Sequence, residues 1–236
     1  MKIALIGYGK MGHEIEAVAL EQGETIACTF DVANPAKASD LADVDVCIEF
    51  STPDTAIRNI QVALEAKKDI VVGTTGWYAR LNEIRPLVKD SGLLYSPNFS
   101  IGVNMAFRLA AAAAEMMNNN PAYDAYIHEW HHRQKADSPS GTALKLAEIL
   151  LSKLERKTKI ESARVDGKID PAALHVSSTR VGTVAGTHVV GFESDADAIE
   201  IKHVAKSRRG FAMGAVRAAQ WLKGRKGVYT MDDVTL

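Results

Sequence analysis

The sequence predicts an α/β fold: a doubly wound, Rossmann-type parallel sheet with an α+β domain inserted into it. Three observations carry this reading. Through roughly the first hundred residues, short apolar runs rich in β-branched residues alternate with segments of helical periodicity, the signature of βαβ units. A glycine loop follows the first apolar run directly. After Asn104 the texture changes to longer, strand-rich segments, and it returns to helix near the C-terminal end.

Strands are expected at residues 2–6, 25–31, 45–50, 69–72 and 93–96. Helices at 10–22, 53–66 and 77–89 fall between them, with Pro53 suited to a first helical turn and Gly23 and Gly92 as terminators. A helix from Asn104 through the Ala110 to Ala114 run stops at Asn118-Asn119-Asn120-Pro121, and the aromatic segment 123–130 reads as a strand running into a loop rich in His, Ser and Pro. Residues 142–154 place Leu144, Ile149, Leu150 and Leu154 on one helix face, and 174–205 reads as strands separated by Gly182, Gly186 and Gly191. Residues 211–222 form a last helix whose alanines permit close packing, before a short extended tail. The expected division is discontinuous: 1–103 with 208–236 as the dinucleotide-binding domain, and 104–207 as the substrate-binding and oligomerisation domain.

Composition narrows the function classes. With 28 Lys+Arg against 29 Asp+Glu in 236 residues, the net charge of −1 gives no global field for nucleic acid or an anionic membrane. The hydrophobic fraction of 47% is enough for a globular core, which excludes disorder. Cys28 and Cys47 lie in apolar stretches without C-x-x-C spacing, so neither a disulfide framework nor a thiolate metal site is indicated, and a reducing cytoplasm fits. No apolar run is long enough to be a signal sequence or a membrane span.

The glycine loop is Gly7-Tyr8-Gly9-Lys10-Met11-Gly12, and Asp31 stands 19 residues beyond Gly12 at the end of the next strand. Strand, loop, helix and acid are in register for a dinucleotide: Gly7 makes the tight turn, Gly9 lets backbone approach pyrophosphate, Gly12 packs helix on strand, and the helix N-terminus meets the negative charge. Asp31 can accept the ribose hydroxyls of NAD and would repel a 2′-phosphate, which predicts NADH over NADPH. Lys10 in the same loop can offset part of that repulsion. Two further strand ends, Gly73-Thr74-Thr75-Gly76 and Ser96-Pro97-Asn98-Phe99, are placed to line the nicotinamide end.

Residues 129–142 hold the densest chemistry. His128-Glu129-Trp130-His131-His132 matches the H-E-x-x-H pattern of zinc proteases, but that pattern chelates only on a helix. On a strand, His128 and His132 would be about 13 Å apart. No metal is therefore expected. The loop instead gathers His131, His132, Arg133 and Lys135 ahead of a helix start carrying Ser140, Gly141 and Thr142. Lysine and helix-end N–H groups suit a carboxylate, and a histidine can donate a proton near neutral pH.

These residues resemble the 4-hydroxy-tetrahydrodipicolinate reductases (dihydrodipicolinate reductases). Residues 129–142 fit the family pattern E-x-H-H-x-x-K-x-D-x-P-S-G-T, supported by the glycine loop, Gly73-Thr74-Thr75-Gly76, residues 96–102, Ser207-Arg208, Phe211-Ala212 and Gly214-Ala215. The resemblance implies reduction of 4-hydroxy-tetrahydrodipicolinate to tetrahydrodipicolinate, with loss of water, by NADH or NADPH in lysine and diaminopimelate biosynthesis. It implies His131 as proton donor, Lys135 as the group that polarises substrate and binds a carboxylate, His132 as a substrate contact, and Ser140, Gly141 and Thr142 around the other carboxylate. The cofactor would contact the loop from Gly7 to Gly12, Asp31, Gly73, Thr74, Thr75, Ser96, Pro97, Asn98 and Phe99. A homotetramer assembled through the second domain is implied as well. The chain departs from many relatives in a glycine loop one residue shorter, in Ser138 where Ala is common, and in the bulk of Trp130.

Two other classes compete. A short-chain dehydrogenase needs Tyr-x-x-x-Lys, and none of the six tyrosines has Lys four residues on. A redox sensor that keeps the fold without catalysis would lack the proton donor or the lysine, and both His131 and Lys135 are present.

Overall fold

The computed structural model describes residues 1–235. In chain order its elements are β1 (Lys2–Ile6), α1 (Lys10–Glu21), β2 (Thr25–Phe30), β3 (Val46–Glu49), α2 (Pro53–Glu65), β4 (Asp69–Val72), α3 (Leu81–Ile84), β5 (Gly92–Tyr95), α4 (Ile101–Asn118), β6 (Asp124–His131), α5 (Gly141–Lys153), β7 (Lys159–Glu161), β8 (Ala173–Arg180), β9 (Thr187–Glu193), β10 (Ala198–Val204), α6 (Arg209–Leu222) and β11 (Gly227–Tyr229). They form two compact units, Met1–Asn104 with the chain from Arg208 onward, and Met105–Ser207.

The first unit is a six-stranded sheet in the order β11-β5-β4-β3-β1-β2, with every pair parallel. Parallel strands need crossovers, and the helices supplying them cover both faces, which is why β1 is apolar at almost every position. Alternation divides it cleanly: Ile3 and Leu5 pack with α1 and α6, while Ala4 and Ile6 pack with α2, Trp77 and Ile84. Each fully buried Ile or Leu there contributes about 1.5–3 kcal/mol of transfer free energy. From β1 the chain moves to β2 on one side and returns to β3 on the other, so the strand order reverses between β1 and β3. A doubly wound sheet binds ligands outside the carboxyl ends of strands at such a reversal.

The second unit is a mixed five-stranded sheet, β10-β9-β6-β8-β7, with β6 antiparallel to β9 and parallel to β8. Along β6, Ala125, Ile127, Glu129 and His131 are buried, while Tyr126, His128 and Trp130 on the other face are half-buried. The buried row includes Ala125 and Ile127, which join Leu146, Ala147 and Leu150 of α5 and Ala110 and Ala114 of α4 in one core.

Three local expectations change. Residues 77–89 do not form one helix: a 3₁₀ turn at Tyr78–Arg80, the single turn α3 and a second 3₁₀ turn at Arg85–Leu87 replace it. Pro86 lacks the N–H a continuing helix needs and disfavours helical backbone at Arg85. Gly191 lies inside β9 rather than between strands, because a Cβ there would sit 2.2 Å from the Tyr126 ring on the adjacent strand. The extended tail is a sheet member, β11, paired with β5 through Val228 and Leu93.

Candidate active site

In the first unit the glycine loop lies at the β1 and β3 strand ends. Gly7 has φ +97, and a Cβ there would lie 2.2 Å from the Phe50 carbonyl oxygen. Only glycine fits that turn. Gly9 is the N-cap of α1 with no side-chain cap, and a Cβ on it would meet nothing within 4 Å. The space above Gly9 and the uncapped first turn together form a cradle suited to pyrophosphate. Gly12 differs from expectation: its Cβ would lie 2.7 Å from the Gly7 carbonyl oxygen, so it packs helix against loop rather than against strand.

A cavity of about 530 Å³ opens there, lined by Gly7, Tyr8 and Gly9 on one side and by Asp31, Ser51, Arg58 and Asn59 among others. A second, of about 260 Å³, is lined by Met11, Pro53, Gly73, Thr74 and Thr75, and Phe50 and Ser51 line both. The two adjoin at Phe50 and Ser51, and their linings together mark a track from Asp31 to Thr75. Asp31 begins a tight turn just after β2, its Oδ1 accepting from the N–H groups of Ala33 and Asn34 at 2.9 and 2.8 Å. Lys10 is exposed and lines neither cavity. Ser96, Pro97, Asn98 and Phe99 also lie outside both linings. The Ser96 hydroxyl donates to Asn98 O at 2.9 Å, Asn98 Oδ1 accepts from Ser100 N, and Phe99 is a core residue tilted against Phe50.

Sequence reasoning missed a buried acid that holds two lining residues of the first cavity, Ser51 and Asn59. Glu49 is fully buried at the end of β3, and Ser51 and Asn59 hydrogen-bond its Oε1. Burial pushes its carboxyl up, against the hydrogen bonds that Ser51, Thr74 and Asn59 contribute. A glutamate ending an otherwise apolar run was the available signal.

In the second unit the zinc pattern is excluded by strand geometry. His128 faces Ser177 and meets Trp130 edge-on on one side of β6, whereas Glu129 is buried on the other. His131 ends the strand, buried, and His132 and Arg133 lead the following loop, where Arg133 N donates to Gly182 O at 3.3 Å. Lys135 Nζ lies 2.7 Å from Asp137 Oδ1. That lysine is the main cause holding the Asp137 carboxyl below its usual range, and the Gly141 N–H adds to it.

Ser140 caps α5, its Oγ accepting from Ala143 N at 3.2 Å, and its own N–H donates to Glu129 Oε1 at 3.0 Å. Both polar groups of Ser140 are therefore engaged inside the fold, and Gly141, with open space at its Cβ position, faces outward. Glu129 is the centre of the cluster. Its Oε1 also accepts from Ser178 Oγ and Arg180 Nη2, each at 2.8 Å. Oε2 lies 3.1 Å from His131 Nδ1 and 3.5 Å from His188 Nε2. Burial opposes ionisation of Glu129, but hydrogen bonds from His188, Ser140, Arg180 and Ser178 outweigh it and hold the carboxyl well below the usual range. Burial is the largest cause holding His131 down to about 4; His188, Lys135 and Arg180 push the same way and Glu129 opposes them. The ligand atoms of Glu129, His131 and His188 all lie within 4.8 Å, but Arg180 already puts a fixed positive charge on that carboxylate. Sequence reasoning found His131 and Lys135 and missed Arg180 and His188, which reach the cluster from β8 and β9 with no local motif.

Glycine loop, strand reversal and the track to Thr75 define a pyridine-nucleotide-dependent oxidoreductase of Rossmann type. The family models described as dihydrodipicolinate reductase, N-terminus and C-terminus, match residues 1–99 and 102–235. The chain belongs to the dihydrodipicolinate reductase family. It is 43% identical over 239 residues to the 4-hydroxy-tetrahydrodipicolinate reductase of Christiangramia forsetii, covering 99% of this chain and 97% of that one. It is 37% identical over 223 residues to the enzyme of that name from Neisseria gonorrhoeae, covering 92% and 80%. Among solved structures, a dipicolinate-bound dihydrodipicolinate reductase from Paenisporosarcina sp. TG-14 shares the fold with a TM-score of 0.80 at 20% identity, over 98% of this chain and 97% of that one. Among the described residues, no helix is long and apolar enough to cross a membrane.

Proposed function

We propose that this chain is a cytoplasmic 4-hydroxy-tetrahydrodipicolinate reductase of lysine and diaminopimelate biosynthesis, reducing its substrate to tetrahydrodipicolinate with loss of water and preferring NADH. The observation that carries the reading is the run from Glu129 to Thr142, which folds as strand end, cationic loop and helix N-terminus around a buried carboxylate. The family membership and the relatives' names support the same activity.

Reduction across a conjugated bond needs a hydride at one carbon and a proton at another, with two substrate carboxylates held in place. When bound, the nicotinamide supplies the hydride. The uncapped start of α1 and the open backbone at Gly9 hold the pyrophosphate. Gly73, Thr74 and Thr75 border the far end of the track, and Asp31 accepts the ribose hydroxyls and disfavours a 2′-phosphate. In the second unit Lys135 and the α5 start at Gly141 and Thr142 hold the carboxylates, with His132 alongside, and His131 delivers the proton. A substrate dianion raises the proton affinity of His131, which burial lowers in the free protein. We also assign a homotetramer to the second unit; the half-buried face of β6 bearing Tyr126, His128 and Trp130 supports it, and sedimentation measures it.

The test is NADH oxidation with the condensation product of pyruvate and aspartate semialdehyde as substrate. His131→Ala is expected to lower kcat by ~10²–10⁴-fold with little change in KM, and Lys135→Ala to damage both. No NADH consumption above blank by the folded protein refutes the activity, and a clear NADPH preference refutes the cofactor assignment.

A further inference from the structure

We infer that Glu129 is a positioning residue for proton transfer, whose carboxylate keeps the proton on His131 Nδ1 and so makes Nε2 the nitrogen that gives its proton to substrate. The inference rests on the proposed role of His131 and adds the group that orients it.

The geometry is specific. Glu129 is 0% exposed, and its Oε1 is filled by Ser140 N, Ser178 Oγ and Arg180 Nη2. Oε2 and His131 Nδ1 face each other at 3.1 Å and neither has a well-aligned hydrogen-bond partner among the described residues; His188 Nε2 lies farther from Oε2, at 3.5 Å. Two buried polar atoms left orphaned are costly, so a proton on Nδ1 turned to Oε2 is the arrangement that relieves both. At the other end of the ring, Gly186 stands beside Nε2: a Cβ there would lie 3.0 Å from that nitrogen and 3.3 Å from Cδ2. The bare backbone leaves room beside Nε2 where a side chain would crowd it.

In the step itself the Nε2–H bond breaks, its electron pair stays on the ring, and a C–H bond forms on the substrate carbon that the hydride does not reach. Imidazolium becomes neutral imidazole with Nδ1–H still turned to Glu129, and solvent returns the lost proton. The charged and titratable groups facing His131 are Glu129 on its own strand, His188 on β9, Arg180 on β8 and Lys135 in the loop, with His203 of β10 behind His188. Glu129 alone among them favours the imidazolium. The Ser140 N–H that donates to Glu129 Oε1 also ties this carboxylate to the start of α5, so proton donor and carboxylate grip share one anchor.

Nitrogen-15 imidazole spectra of the wild-type protein decide the tautomer without any variant. Neutral His131 protonated at Nδ1 is expected, and neutral His131 protonated at Nε2 overturns the inference. Glu129→Gln is expected to lower kcat by at least about 10-fold, a part of the ~10²–10⁴-fold a general acid supplies, with KM changed far less. It is also expected to move the alkaline limb of kcat, which reports the substrate-bound enzyme, to lower pH by about 1 unit or more, since the anion favouring protonation is gone. Glu129→Asp, which keeps the charge, is expected to restore the limb. Unchanged kcat and limb in a folded Glu129→Gln, with His131→Ala still inactive, overturns the positioning role alone; full activity in His131→Ala overturns the donor assignment beneath it.

Discussion

Alanine at Gly9 and alanine at Gly7 separate nucleotide binding from folding within one loop. Gly9 has φ −95 and ψ −154, a conformation alanine adopts, and its new methyl would touch nothing within 4 Å. The folding cost is confined to a poorer helix cap, at most about 1 kcal/mol, or roughly 2–4 °C in Tm for a chain of this size. The methyl nevertheless fills the space through which backbone reaches pyrophosphate. Losing about 1.4–3 kcal/mol of that contact raises KM for NADH by about 10–100-fold. Gly7 is the opposite case: φ +97 is strained for alanine, and the 2.2 Å approach to Phe50 O is a hard overlap with backbone. Gly7→Ala is expected to destabilise by about 3 kcal/mol or more. Thermal melts and steady-state kinetics on both variants make the comparison. A folded Gly9→Ala enzyme with unchanged KM for NADH would refute the assignment of the cradle.

Other outcomes follow from the same geometry. Asp31→Ser removes the charge that opposes a 2′-phosphate, so the ratio of kcat/KM for NADPH to that for NADH is expected to rise by about 10-fold or more; an unchanged ratio removes Asp31 from cofactor selection. Asp137→Asn frees Lys135 from an ion pair that is half-exposed and worth under about 1 kcal/mol, so KM for the dicarboxylate should fall by up to about fivefold, and a rise would show that the pair orients the lysine. Stability should decline in acid. An unfolded histidine takes up a proton near pH 6.5, whereas burial holds folded His131 down to about 4, so this group's contribution is complete above about pH 6.5 and is lost as pH falls toward about 4. Glu129, held below the carboxylate range, adds a loss below about pH 4.3. Melting temperatures of wild type and His131→Gln across that interval measure the first part, worth at most about 3 kcal/mol, and parallel curves would contradict it.

The parallel-sheet unit was readable from the chain because its signals are local. Ile3 to Ile6, Gly7, Gly9 and Asp31 are each within one βαβ unit, so spacing alone conveys the geometry. The Pro86 break was also written in the sequence, and the helix reading over 77–89 passed over it. The second unit was harder. His131 and Lys135 announced themselves by density, but Arg180 and His188 meet Glu129 only after β8 and β9 pair with β6, a contact made at separations of about fifty residues that no periodicity records. Ser140 illustrates a subtler gap: its type suited a ligand contact, yet its hydroxyl caps α5 and its N–H serves Glu129.

The pairing of β11 with β5, and the packing of α6 on the sheet, have a consequence for the order in which the protein is made. Residues 105–207 leave the ribosome as one contiguous stretch and hold all the strands of their own sheet. The parallel-sheet unit starts earlier in the chain but lacks one helix of a layer and an edge strand until Arg209–Leu222 and Gly227–Tyr229 emerge. Ala212, Ala215 and Leu222 are missing from its core throughout that interval, leaving apolar sheet surface open to chaperones. The unit begun before residues 105–207 is thus closed only after them, and ligand binding can add its energy to the folding of that unit only once Gly227–Tyr229 have emerged.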